Sequence, residues 1–153
     1  AYLTDMIAHH QGALNMASQA RELATKAEIR TLADAILSSQ ATEVQQMMDW
    51  QQEWNYSATD SSNPHAGHMM ESSGSMSDDM ANMEAKLSGS SGEAYDKEFL
   101  KQMILHHQQA VDMSKYADTN AKHQEVKDLA RAVITAQEKE IADMKSWQQK
   151  WGY

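Results

Sequence analysis

Leu3-Thr4-Asp5-Met6-Ile7-Ala8-His9-His10-Gln11-Gly12-Ala13-Leu14-Asn15-Met16 returns 97 residues later as Leu100-Lys101-Gln102-Met103-Ile104-Leu105-His106-His107-Gln108-Gln109-Ala110-Val111-Asp112-Met113. The correspondence continues without a gap through Glu28 and Glu125, Leu32-Ala33 and Leu129-Ala130, Gln40 and Gln137, Glu43 and Glu140, and Met47 and Met144. It closes on Trp50-Gln51-Gln52-x-Trp54-x-Tyr56 and Trp147-Gln148-Gln149-x-Trp151-x-Tyr153. A gapless match from Leu3–Tyr56 to Leu100–Tyr153 makes this chain two copies of one unit.

Within each unit the apolar positions recur at helical spacing. Leu3, Ile7, His10, Leu14 and Ala17 form one stripe; Ile29, Ala33, Ile36, Gln40, Glu43, Met47, Trp50 and Trp54 form the next. Leu100, Ile104, His107 and Val111, then Val126, Ala130, Val133, Gln137, Glu140, Met144, Trp147 and Trp151, repeat the pattern. Breaks near 24–27 and 119–122 are short, so each pair of helices predicts an antiparallel hairpin. The expected fold is all-α: an antiparallel four-helix bundle of two hairpins, residues 1–56 and 93–153, in one compact domain. Residues 57–92 read as a mobile connection rich in Ser, Gly, Met and His, holding the single Pro, Pro64. Inside it, Met76, Met80, Met83 and Leu87 keep the spacing of one face of a short helix.

Composition limits the function. The 153 residues carry 13 Lys+Arg against 22 Asp+Glu, a net charge of −9 with no basic run, which argues against nucleic acid and anionic membranes. No apolar stretch is long enough to span a bilayer. Cys is absent, which removes disulfides, thiolate sites and cysteine chemistry; Met, at 12, is about three times ordinary usage. The chain opens Ala1-Tyr2-Leu3 without an initiator Met, and a targeting peptide is expected to have preceded it.

Met6-x-x-His9-His10 and Met103-x-x-His106-His107 carry the chemistry. On a helix the Met is a neighbour of both His, and thioether with imidazole is a donor set for Cu(I) or Ag(I). Met47 and Met144 lie across the hairpins as further donors. Hairpin partners whose numbers add to about 50 would put His10 opposite Gln40, with Glu43 and Met47 within a turn or two; Gln137, Glu140 and Met144 stand likewise to His107. Glu43 and Glu140 can orient a ligating His or simply join a buried polar network. Met16 and Met113 are open between core packing and a second ion. His65, His68, Met69 and Met70 form a looser third cluster that could wrap an ion. The competing reading is a core in which Met fills gaps and the His are satisfied. The Trp pairs read as caps on one end of the bundle, and His123 as a surface residue.

Di-iron carboxylate bundles need Glu-x-x-His. Here Met6, Ile7, Met103, Ile104 and Asn120 stand three residues before the helical His, so the motif is missing. No phosphate loop or nucleophile motif is present either.

These residues resemble the CopM-like family, catalogued as a domain of unknown function. The match rests on Leu-x-x-Met-Ile-x-His-His-Gln-x-Ala-x-x-Met in both units, with Leu32-Ala33, Gln40, Glu43, Met47 and Trp50. The Gly that often follows His-His-Gln is Gly12 in the first unit and Gln109 in the second. The resemblance implies a ferritin-like bundle and a periplasmic or secreted copper-binding protein of copper resistance; no catalytic activity is expected. It would sequester Cu(I), with Cu(II) and Ag(I) as further cargo, or hand it to another copper-handling protein. A cuprous oxidase, a metal-independent interaction bundle and a sensor ectodomain are the alternatives.

Overall fold

The computed structural model describes residues 2–56 and 70–153, with side chains described at 2–56 and 78–153. Five helices follow one another: α1 (Tyr2–Leu23), α2 (Ala27–Glu53), α3 (Met70–Leu87), α4 (Gly92–Asn120) and α5 (Gln124–Trp151). The all-α expectation holds. The spacing of Met76, Met80, Met83 and Leu87 falls on α3, a helix within the span between the hairpins. Among the described residues no helix is long and apolar enough to cross a membrane.

The helix pairs are antiparallel. Gln51 meets Thr4 at 3.0 Å, Glu43 meets His10 at 2.5 Å and Asp34 meets Arg21 at 2.6 Å, so residues descend α2 as they ascend α1. Lys115 with Glu138 and Asp118 with Arg131 pair α4 with α5 in the same sense. The two hairpins join through α1 and α4, where Tyr2 Oη lies 2.9 Å from Ser114 Oγ near one end and Tyr95 reaches Gln19 near the other. α3 packs on both α1 and α4, burying Met83 and Leu87 with Tyr95 and Phe99.

The register departs from expectation. Contacting residues of α1 and α2 have numbers adding to 53–55, not about 50, so His10 meets Glu43 instead of Gln40. The cause is the lean of helical side chains toward the N-terminus of their own helix. In an antiparallel pair the two leans are opposed, which shifts the contacting partner on α2 farther along the chain than backbone levels suggest.

The Trp pairs also depart from expectation. Trp54 stacks on His123 at 3.7 Å, closing the end where α2 finishes and α5 begins. Trp147 and Trp151 pack on the buried cluster around Ala24 and Ile29 at the opposite end, with Lys26 Nζ 5.1 Å from the Trp151 ring. Each hairpin thus seals the turn of the other, and the two pairs cap two ends. His123 is not a free surface residue: Tyr56 Oη is 3.0 Å from its Nε2. α2 and α5 finish alike, on a left-handed residue, Asn55 or Gly152, with Tyr56 N–H donating to Gln51 O and Tyr153 N–H to Gln148 O.

The α1–α2 turn is held by a residue outside the duplicated segments. Asp96 of α4 is fully buried and accepts from the Thr25 N–H at 2.9 Å, the Lys26 N–H at 3.1 Å and the Thr25 hydroxyl. Lys26 precedes α2 and no side chain of its own caps that helix, so the carboxylate does so from across the molecule. Asp96→Ala orphans these donors and is expected to lower unfolding stability by about 3 kcal/mol. Urea denaturation of the variant against the parent measures this; an unchanged midpoint would show that the turn closes without Asp96.

Candidate metal centre

Four imidazoles line up where α1 crosses α4. His9 and His106 stack with ring centroids 3.6 Å apart and planes 24° from parallel. His10 stands 6.4 Å from His9, and His107 6.5 Å from His106, so the row runs His10, His9, His106, His107. All four are buried, none more than 1% exposed. They arise from adjacent positions on each helix: one His of each pair faces the opposite hairpin, and its neighbour turns toward the second helix of its own.

The outer pair is oriented by carboxylates. His10 Nε2 lies 2.5 Å from Glu43 Oε2, and His107 Nε2 lies 2.5 Å from Glu140 Oε2. With the carboxylate oxygen accepting, Nε2–H is the donor and Nδ1 is the ring nitrogen that the glutamate does not engage. Both Nδ1 atoms are buried without a hydrogen-bond partner. Glu43 and Glu140 keep 21% and 19% of their side chains exposed, which places the carboxylates at the rim and the imidazoles inside.

The inner pair has no partner on any ring nitrogen. Burial dominates their acidity. It pushes His9 from its ordinary 6.5 down to about 3, with the neighbouring His10 and His107 acting in the same direction. Nearby Gln109 opposes this weakly without forming a well-shaped hydrogen bond. His106 is held well below its ordinary value by burial first and then by His9, His107 and His10. Both rings are neutral at pH 7, the form that can ligate a metal.

Met6 and Met103 stand one helical turn before the two His pairs, and the other thioethers lie in the two apolar clusters. Met6 and Met47 are fully buried in one cluster, on which Met113 packs; Met103 and Met144 are fully buried in another, together with Met16 and Met83. Met16 therefore packs with the methionines of the second unit and Met113 with those of the first. The spacing within one helix conceals that exchange, because it follows from antiparallel packing of α1 on α4. His65, His68 and Met69 lie outside the described residues, and Met70 is the first residue of α3. Sequence reasoning gave no site role to Met80 or Met83 of α3, although their helical spacing placed them on one face.

Six buried imidazole nitrogens without partners, at His9, His10, His106 and His107, are costly in a folded protein and call for an explanation. Neutral imidazoles beside buried thioethers suit a soft cation. Among the described residues, no three His, Asp or Glu side chains converge as a set able to hold an ion. The sulfur atoms are the further donors at hand.

This combination of a helical-hairpin fold and a buried His/Met row belongs to a defined class. The family model described as domain of unknown function (DUF305) matches residues 1–151, and the chain belongs to that family. Among solved structures, CopM in its Cu(I)-bound form is 31% identical with a TM-score of 0.76, covering 98% of this chain and 94% of that one. CopM in its Cu(II)-bound form is likewise 31% identical, with a TM-score of 0.74 over 98% and 96% of the two chains. A DUF305 protein of Streptomyces coelicolor, described as a predicted secreted protein, superposes with a TM-score of 0.82 at 28% identity, over 99% and 91%. An uncharacterized protein of Acanthamoeba polyphaga mimivirus is 41% identical over 51 residues, a third of this chain and 34% of that protein's length.

The low His9 and His106 values set a pH dependence. Both rings are neutral in the folded protein where the unfolded chain, with pKa near 6.5, takes up protons. The stabilisation is complete above pH 6.5 and is lost as pH falls toward 3, at a limiting slope of about 1.4 kcal/mol per pH unit per histidine. Metal-free protein should therefore unfold at a lower urea concentration at pH 5 than at pH 7. His9→Leu with His106→Leu should flatten that difference and raise the midpoint at pH 5. An equal pH slope in the double variant would place the acid sensitivity elsewhere.

Proposed function

We propose that this protein binds copper, Cu(I) in preference, and sequesters or carries it in an extracytoplasmic space. The observation that carries this reading is the row of buried imidazoles with six unpartnered nitrogens, each His pair following a buried Met by one helical turn. Met6, His9, His10 and Met47 would supply one set of donors. Met103, His106, His107 and Met144 would supply the other. Met113 and Met16 would stand behind these two sets respectively, and Glu43 and Glu140 would orient the outer His.

Such donors suit Cu(I) for a simple reason. Thioether and neutral imidazole are soft or intermediate and uncharged, so a univalent soft ion gains little competition from Mg2+ or Ca2+. They also need no reducing compartment, since no thiol is present to oxidise. The net charge of −9 favours approach of cations. CopM has been captured with Cu(I) and with Cu(II), and its likeness to this chain supports copper as the cargo. Ag(I), also found in CopM, would be a close mimic. The cluster His65, His68, Met69 and Met70 would be a third, looser site, and a copper-handling protein the acceptor. Localisation to the periplasm or exterior fits the predicted secretion of the Streptomyces relative.

The test is an anaerobic Cu(I) titration against a chromogenic chelator. The parent chain is expected to compete, and His9/His10/His106/His107→Ala to lose at least 100-fold in affinity while keeping its helical circular dichroism. His65/His68→Ala should retain most of the binding. No competition by the parent, or undiminished competition by the folded quadruple variant, would overturn the assignment to the buried row.

A further inference from the structure

The duplicated units part company at one point beside the His9–His106 stack. Position 12 is Gly, and its counterpart 97 residues on is Gln109. On the second side, Gln109 lies against His9, with its Oε1 buried and unpartnered. On the first side, the space that a Cβ at Gly12 would fill is taken by α3. The Met80 sulfur lies 2.6 Å from that point and His106 Nε2 lies 3.4 Å from it. A thioether and an unpartnered imidazole nitrogen thus flank one notch in α1, which only a residue without a side chain leaves open. His106 is 1% exposed, whereas Met80 is only half-buried. The sulfur therefore stands between the buried row and the surface.

We propose that Met80 of α3, with His106 Nε2, forms an additional soft-metal site in the Gly12 notch, and that this site gives Cu(I) or Ag(I) its way into and out of the buried row. The inference rests on the copper-binding reading above. His106 can hold its proton on Nδ1 and offer the Nε2 lone pair, because no other group engages either nitrogen. Met80 is neutral, polarizable and hinged on three rotatable bonds, so it can follow an ion without breaking a packed core. Gln109 offers the other side of the stack a hard amide instead, so transfer is one-sided.

The experiment uses the full chain labelled with 13C at the methionine methyl groups, titrated anaerobically with Ag(I) and followed by NMR, with stopped-flow Cu(I) removal by a chelator as second readout. Met80 methyl is expected to shift at substoichiometric Ag(I). Met80→Leu should slow Cu(I) removal about tenfold with little change in the methyl shifts of Met6, Met47, Met103 and Met144. Gly12→Ala should abolish the Met80 shift by displacing the sulfur, with the fold kept, since Ala favours the helix. Shifts at the other methionines without one at Met80, or a Met80 shift that survives Gly12→Ala, would overturn this inference and leave copper binding standing. Silence of every methionine methyl together with no Cu(I) competition by the parent chain would overturn both.

Discussion

Everything near the centre of this molecule depends on holding two neutral imidazoles face to face between α1 and α4. A stacked His9–His106 pair at 3.6 Å, with all four nitrogens unpartnered, is an unusual thing to bury. Protonating either ring would place a charge among like groups and apolar side chains, which is why burial lowers the pKa of both. The hairpins must then supply enough apolar contact to offset the loss of hydrogen bonds. They do so through the Met, Ala and Ile of the two buried clusters and through the Trp pairs that lock each hairpin onto the turn of the other.

The same constraint explains the carboxylates. Glu43 and Glu140 sit on stripe positions that a plain bundle would give to Leu, yet they remain partly exposed. Each removes one donor from the list of orphans and fixes the tautomer of the outer His. Replacing them with apolar residues would leave His10 and His107 with both nitrogens unpaired. The rim carboxylate and buried imidazole therefore form one unit, present once in each hairpin with the same sequence separation of 33.

Duplication made two near-equal halves, and α3 makes them unequal. It puts the Met80 sulfur beside Gly12, buries Met83 in the core and reaches Asn15 through Glu84. α4 carries Asp96 to the α1–α2 turn and Tyr95 and Phe99 into the core. One departure from symmetry falls beside Gly12, where the chain lacks the side chain that Gln109 has.

Fold class and the placement of the Met and His residues along each helix were readable from the sequence, because helical period, duplication and the Met-x-x-His-His spacing are all local properties. The helix breaks near 24–27 and 119–122 follow from the same periodicity. The partner of His10 was not readable to the residue, since opposed side-chain leans in an antiparallel pair move the contact by about one turn. Nor could one helix reveal that Met16 joins Met103 and Met144, or Met113 joins Met6 and Met47; that exchange is made by packing α1 on α4. The two-ended placement of the Trp pairs, the stacking of His123 on Trp54 and the approach of Met80 and His106 to the Gly12 position were decided by tertiary structure alone. Each depends on how segments far apart in the chain come to share one surface, and no spacing within a single helix encodes that.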